Sequence, residues 1–140
     1  MKDLEFNHLY DKYGNFLPSK ERDIYLLREA IFGFSEIKNY LENFQGKILE
    51  VGCGPGILLN ELSIAYPKNE YCGVDPFIES YSKFNNIFDS INKAKFHKNR
   101  IEDFVTDEKF DLIFSINVCE HVEDWGTYID KTMSLLSRNG

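Results

Sequence analysis

The chain has 140 residues, 43% of them hydrophobic and 15% aromatic, which is the composition of one globular domain and not of a disordered segment. A net charge of −7 argues against the phosphate backbone of nucleic acid as the main partner. No apolar run is long enough to span a bilayer, and Met1-Lys2-Asp3-Leu4-Glu5-Phe6 lacks the apolar core of a signal peptide, so a cytoplasmic protein without a membrane partner is expected.

Residues 1–18 are polar and aromatic, with Gly14 and Pro18 interrupting any regular pattern. Ser19 is placed to cap a helix carrying Ile24, Leu27 and Ile31 on one face and stopped at Gly33. Ser35 is placed to cap a second, with Ile37, Tyr40, Leu41 and Phe44 at helical spacing, ending near Gly46. Residues 1–45 therefore read as a helical extension ahead of a domain formed by 46–140.

From Lys47 onward strands and helices alternate. Strands are expected at 47–51, 70–75, 94–98 and 110–117. Helices are expected at 56–66, stopped by Pro67, at 77–91, and at 124–137. In the last, Asp124 is the expected N-cap, and Trp125, Tyr128, Ile129, Thr132, Leu135 and Leu136 form one stripe. Such alternation predicts an α/β fold, a parallel sheet with right-handed crossovers.

Three segments carry chemistry. Ile48-Leu49-Glu50-Val51-Gly52-Cys53-Gly54-Pro55-Gly56 is a buried strand running into a glycine-rich turn, with an apolar helix starting at Ile57. Glycines at alternate positions let a ligand lie against bare backbone. The acid at Glu50 suits a cationic ligand and opposes a pyrophosphate. Glu70-Tyr71-Cys72-Gly73-Val74-Asp75 ends a second strand in an acid, about 20 residues beyond the turn, with Pro76 opening the next helical segment. An acid there accepts hydrogen bonds from ribose hydroxyls, or else serves only as an N-cap. The third is Phe110-Asp111-Leu112-Ile113-Phe114-Ser115-Ile116-Asn117-Val118-Cys119-Glu120-His121-Val122, an apolar strand with polar groups at its carboxyl end. In open α/β sheets that edge is where ligands bind.

In this order and spacing the three segments resemble the signature motifs of the class I S-adenosylmethionine-dependent methyltransferases, of the small-molecule kind related to methyltransferase types 11 and 12. The resemblance covers Ile48 to Val122. It implies a Rossmann-like sheet with strands in the order 3-2-1-4 and S-adenosyl-L-methionine as cofactor. By the same resemblance, the turn at Gly52, Cys53 and Gly54 meets the methionine portion, Glu50 its ammonium, Asp75 with Pro76 the ribose, and the backbone at Asn117 the amino group near the transferring methyl. The N-terminal helices either fold over the cofactor and substrate mouth, as in that family, or pack on the outer face of the sheet.

Two departures stand out. In the family the loop after the third strand places an acid near the adenine amino group, but Arg100 stands there in this chain. The adenine contact then passes to Glu102 or to the backbone around Ile101, unless this loop is simply solvated. Some quinone-ring O-methyltransferases hold a metal in a Glu-x-x-Glu-His array. Here the segment reads Asn117-Val118-Cys119-Glu120-His121, so the first carboxylate is missing and no metal is expected. His121 is the candidate general base, its ordinary pKa of about 6.5 suiting acid–base work near neutrality. Glu120 orients substrate or holds the imidazole. The alternative is that His121 only caps the following loop. Cys53, Cys72 and Cys119 have no metal-like spacing and read as reduced, semi-buried thiols.

The expected function is methyl transfer to a small-molecule or sugar-containing acceptor. The alternatives are a nucleotide-binding module without catalysis and a nicotinamide-dependent oxidoreductase, the latter opposed by Glu50 and the glycine spacing. Leu135-Leu136-Ser137-Arg138-Asn139-Gly140 resembles the Leu-Leu-Lys-Pro-Gly-Gly turn that precedes the family's fifth strand. The match thus takes in the cofactor-binding half of the family's seven-stranded sheet. The fourth strand is expected to be an edge needing cover from a C-terminal segment or a partner. Alternatively the N-terminal helices shield it in a naturally short protein.

Overall fold

A computed structural model describes residues 3–16, 20–77 and 94–140. The expected helix at 77–91 and the expected cap Ser19 lie outside the described residues. Four parallel strands, β1 (Lys47–Val51), β2 (Glu70–Val74), β3 (Ala94–His97) and β4 (Leu112–Ser115), form one sheet in the order β3-β2-β1-β4. Ile48 lies opposite Tyr71 on one side and Leu112 on the other; Val51 lies between Val74 and Ser115. β1 is central and buried from Ile48 to Val51, as its nearly unbroken apolar run requires. The chain moves outward from β1 through β2 to β3 and then returns to the other side of β1. That reversal opens a crevice at the carboxyl ends of β1 and β4.

β4 is shorter than the 110–117 expected. Phe110 bridges to Leu136 and stays out of the sheet, and Asn117 turns the chain with φ +54°. All four β4 residues remain partly exposed, and the described residues pair this strand only with β1.

The helices are α1 (Phe6–Tyr13), α2 (Lys20–Leu41), α3 (Ile57–Ala65) and α4 (Trp125–Leu135). The two helices expected between Ser19 and Gly46 are one. Gly33 is a packing contact, not a stop: a Cβ there would come within 2.5 Å of Leu58 Cδ2 and 3.3 Å of Ile116 Cγ1. Its missing side chain lets α2 lie close against α3 and the end of β4. Ser35 is exposed mid-helix. The buried stripe is Leu27, Ala30, Phe34, Ile37 and Leu41, spaced by three and four, while Ile24 and Tyr40 are exposed.

α1, α2 and α3 share one apolar cluster with Ile48 and Tyr71. Within it, the Tyr13 hydroxyl donates to Glu61 Oε1 at 2.5 Å, Lys12 Nζ reaches the same oxygen at 2.6 Å, and Asn60 Nδ2 donates to the Tyr13 hydroxyl. The buried Glu61 carboxylate is thereby paired, as burial demands. Leu49, Val51, Cys72 and Val74 form a second cluster with Ile101, Phe104, Phe110, Tyr128 and Leu135. Asp124 caps α4 as expected, accepting from the Thr127 N–H at 3.1 Å and the Thr127 hydroxyl at 2.7 Å. The stripe expected on α4 is only partly buried. Tyr128 and Leu135 face the core, while Trp125 is 46% and Ile129 50% exposed.

Candidate active site at the carboxyl ends of β1, β2 and β4

The turn leaving β1 is held by β2. The N–H groups of Gly52 and Cys53 both donate to the Val74 carbonyl, at 2.7 and 3.3 Å. Gly52, Gly54 and Gly56 all have positive φ, at +76°, +51° and +76°, which L side chains rarely tolerate. Their surroundings differ. A Cβ on Gly52 would lie 2.1 Å from Val118 Cγ2, so the loop after β4 presses directly on this backbone. A Cβ on Gly54 would meet nothing within 4 Å. Gly54 therefore offers bare backbone to open space.

Asp75 ties that turn to the end of β2. Its Oδ2 accepts from the Gly54 N–H at 3.0 Å and its Oδ1 from the Phe77 N–H at 2.7 Å. Each carboxylate oxygen keeps a further lone pair, so capping and ligand binding are compatible roles for Asp75.

Alternation along β1 sends Glu50 to the side of the sheet that α2 covers. Its side chain is 3% exposed, and Oε2 is buried with no hydrogen-bond partner. Burial, then the negative charges of Asp75 and Glu29, push its pKa up to about 8. The carboxylate borders a cavity of about 50 Å³ with Gly52, Cys53, Gly54, Ile116 and, from α2, Leu26 and Glu29. Among the described residues, no Lys or Arg lines it. A buried acid is costly to ionise without a counter-charge, so this cavity favours a cation. The Cys53 thiol is pushed well above its ordinary pKa, by burial first and by Glu50 next, and is unreactive.

A second cleft of about 420 Å³ lies on the other side of Gly52. Pro76, Ile101, Glu102 and Arg100 line one wall; Val118, His121 and Val122 line the opposite one. Ile101 is buried in a single 3₁₀ turn, Ile101–Asp103, and Glu102 is half-buried beside it. The imidazole of His121 is 78% exposed at the rim, with Nε2 3.6 Å from Glu120 Oε1. Both side chains are solvated, so nothing in this contact fixes the ring.

Asn117 enters by a route its sequence position did not suggest. Its side-chain N–H donates to Glu29 Oε1 at 2.9 Å, joining the end of β4 to α2. Sequence reasoning missed Glu29, and also Tyr25, whose hydroxyl bonds to Glu29 and is raised in pKa by it. Glu29 sits between the inward Leu26 and Ala30, which is the only local signal that it lies near the core. α2 packs on α3 and also borders the small cavity.

The sequence matches the model of a methyltransferase domain over residues 15–140. It is 30% identical over 107 residues to malonyl-[acyl-carrier protein] O-methyltransferase of Bacillus cereus, covering 76% of this chain and 36% of that protein. It is 28% identical over 95 residues to a ubiquinone biosynthesis O-methyltransferase of Bradyrhizobium diazoefficiens, covering 67% and 37%. The chain therefore spans just over a third of the length of these curated relatives. Among solved structures, coclaurine N-methyltransferase bound to N-methylheliamine and SAH superposes with a TM-score of 0.67 at 18% identity, covering 79% of this chain and 34% of that one. PKMT2 from Rickettsia typhi in complex with AdoHcy gives 0.60 at 27% identity, covering 69% and 20%. The parallel β3-β2-β1-β4 sheet, the glycine turn with its preceding acid and the match across residues 15–140 converge: the chain belongs to the methyltransferase domain family, among the class I S-adenosylmethionine-dependent methyltransferases.

Proposed function

We propose that this chain is the cofactor-binding part of an enzyme that transfers a methyl group from S-adenosylmethionine to a small-molecule or sugar-containing acceptor. The observation that carries the proposal is the unpartnered, buried Glu50 Oε2 beside the open backbone of Gly54. This pairing fits a ligand with an ammonium at one end and opposes one with a pyrophosphate. In this reading Glu50 takes the ammonium, and the backbone of Gly52, Cys53 and Gly54 receives the methionine chain. The spare lone pairs of Asp75 accept the ribose hydroxyls beside Pro76. The 420 Å³ cleft between Ile101, Glu102 and Val118 takes the adenine end. The relatives named for malonyl-[acyl-carrier protein] and ubiquinone biosynthesis support a small or carrier-borne acceptor.

When bound, the cofactor would supply a methyl group on a sulfonium cation, and an acceptor attacking that carbon in line would displace neutral S-adenosylhomocysteine. The chain's own contribution is to orient and to set the local field. Glu50 and Glu29 attract positive charge from one side. The Asn117 backbone, fixed at the end of β4, bounds the mouth where an acceptor must enter. His121 at the rim accepts a proton from an acceptor that has one to lose, with Glu120 beside it. His121→Ala is expected to lower kcat by at least about 100-fold in that role. A loss of only a few-fold would assign the imidazole to the loop alone.

Thermal melting separates the rival functions. S-adenosylhomocysteine is expected to raise the melting temperature in a concentration-dependent way, and NADH to leave it unchanged. The reverse result would make the chain an oxidoreductase domain. Binding of S-adenosylhomocysteine with no transfer to a broad acceptor panel would make it a binding module. The same proposal treats residues 1–45 as a cap on a domain formed by 46–140. It has a further strand or partner covering the free side of β4. A cytoplasmic location belongs with it; no described helix is long and apolar enough to cross a membrane.

A further inference from the structure

Resting on the cofactor assignment above, we propose that Glu29 of α2 is a cofactor-positioning residue that shares the methionine ammonium with Glu50, so that this part of the ligand is held from both the sheet and the N-terminal helix. Both carboxylates line the same 50 Å³ cavity, and the other described residues of its wall are apolar side chains and the glycine turn. Glu50 Oε2 is buried there without a partner. Both carboxylates face one cavity, and the negative charge of Glu29 is among the causes that raise the Glu50 pKa. One cation relieves both. An ammonium carries three donors, enough for one bond to each carboxylate and one to backbone.

Glu29 is also held in place from two directions. Asn117 Nδ2 donates to its Oε1 at 2.9 Å, and the Tyr25 hydroxyl bonds to it from one helical turn earlier. These contacts leave it aimed at the cavity, whereas an unconstrained helix-surface glutamate would point to water. They also join α2 to the end of β4. The ammonium seat therefore draws on three elements: β1, α2 and the loop after β4.

The test compares two ligands by calorimetry. S-adenosylhomocysteine carries the amino-acid end; 5′-methylthioadenosine keeps the nucleoside and sulfur and lacks it. Glu29→Gln is expected to weaken S-adenosylhomocysteine by roughly 10- to 100-fold, the range for losing a charged hydrogen bond. Its affinity for 5′-methylthioadenosine should stay within about 2-fold, which also reports that the variant is folded. Glu29→Asp should recover part of the lost discrimination. Unchanged discrimination between the two ligands in Glu29→Gln would overturn the inference. So would equal losses for both, which would make Glu29 purely structural. Wild-type protein that binds neither ligand would overturn the cofactor assignment itself and this inference with it.

Discussion

Glu50→Gln is expected to do two opposite things: stabilise the ligand-free protein at pH 8 and weaken S-adenosylhomocysteine by about 100-fold, a loss of the size expected for a buried charged hydrogen bond. The first effect follows from linkage. The folded-state pKa of Glu50 is raised to about 8 from an ordinary 4.5, so the folded protein holds a proton there that the unfolded chain releases. The stability this contributes is fully present below about pH 4.5. It is lost progressively as pH rises through about 8, at a slope of up to about 1.4 kcal/mol per pH unit. The charges of Asp75 and Glu29 also act on Glu50, so the informative quantity is the difference between wild type and Glu50→Gln measured at each pH. That difference should decline from pH 5 to 8 and level off above. The second effect has the opposite pH sense. A cationic ligand needs the carboxylate, so wild-type affinity should rise by up to about tenfold per unit between pH 6 and 8, and the variant should show no such rise. Parallel stability curves would show that Glu50 is ionised throughout, and S-adenosylhomocysteine affinity unchanged in the variant would show that it is not the ammonium's partner.

How far the sequence could carry this depends on where each signal resides. The strands were legible because β1 and β2 are covered on both faces, and such strands must be apolar along their whole length. Glu50 was legible for the same reason, as a charge placed where only apolar residues belong. Gly33 misled because a glycine that reads as a helix stop is also what a close helix–helix contact needs, while Ser35, which reads as a helix start, is an exposed position within α2. Only the docking of α3 distinguishes stop from contact, since a Cβ on Gly33 would lie 2.5 Å from Leu58 Cδ2. Glu29 was invisible because its partners, Asn117 and Glu50, are distant in the chain and adjacent only after α2 docks. The exposure of His121 was equally unreadable, since a Glu-His pair looks the same in sequence whether it is packed or solvated. Arg100, noted as a departure from the family's acid, does line the large cleft, beside the half-buried Glu102.

The glycine turn shows the same division most sharply, and it yields the second large expected effect. In the sequence Gly52 and Gly54 are equivalent members of one motif, but Gly52→Ala and Gly54→Ala should fail in different ways. Both residues have positive φ, so either alanine costs about 1–2 kcal/mol in backbone strain. For Gly52 the new methyl would lie 2.1 Å from Val118 Cγ2, and overpacking of that kind adds about 1–3 kcal/mol. Relief requires the loop after β4 to move, and that loop carries one wall of the large cleft. Gly52→Ala should therefore lower stability by about 2–5 kcal/mol, read as an earlier denaturant midpoint with unchanged slope. For Gly54 the methyl enters open space, so the ligand-free protein should lose no more than the strain itself. That space lies over the backbone assigned to the methionine chain, next to the N–H that Asp75 holds at 3.0 Å. Gly54→Ala should thus cost S-adenosylhomocysteine about 100-fold in affinity by occupying the ligand's place, a loss comparable to removing a well-packed contact. If Gly54→Ala instead binds S-adenosylhomocysteine like wild type, the ligand does not approach this turn, and the site must lie deeper in the cleft beside Ile101.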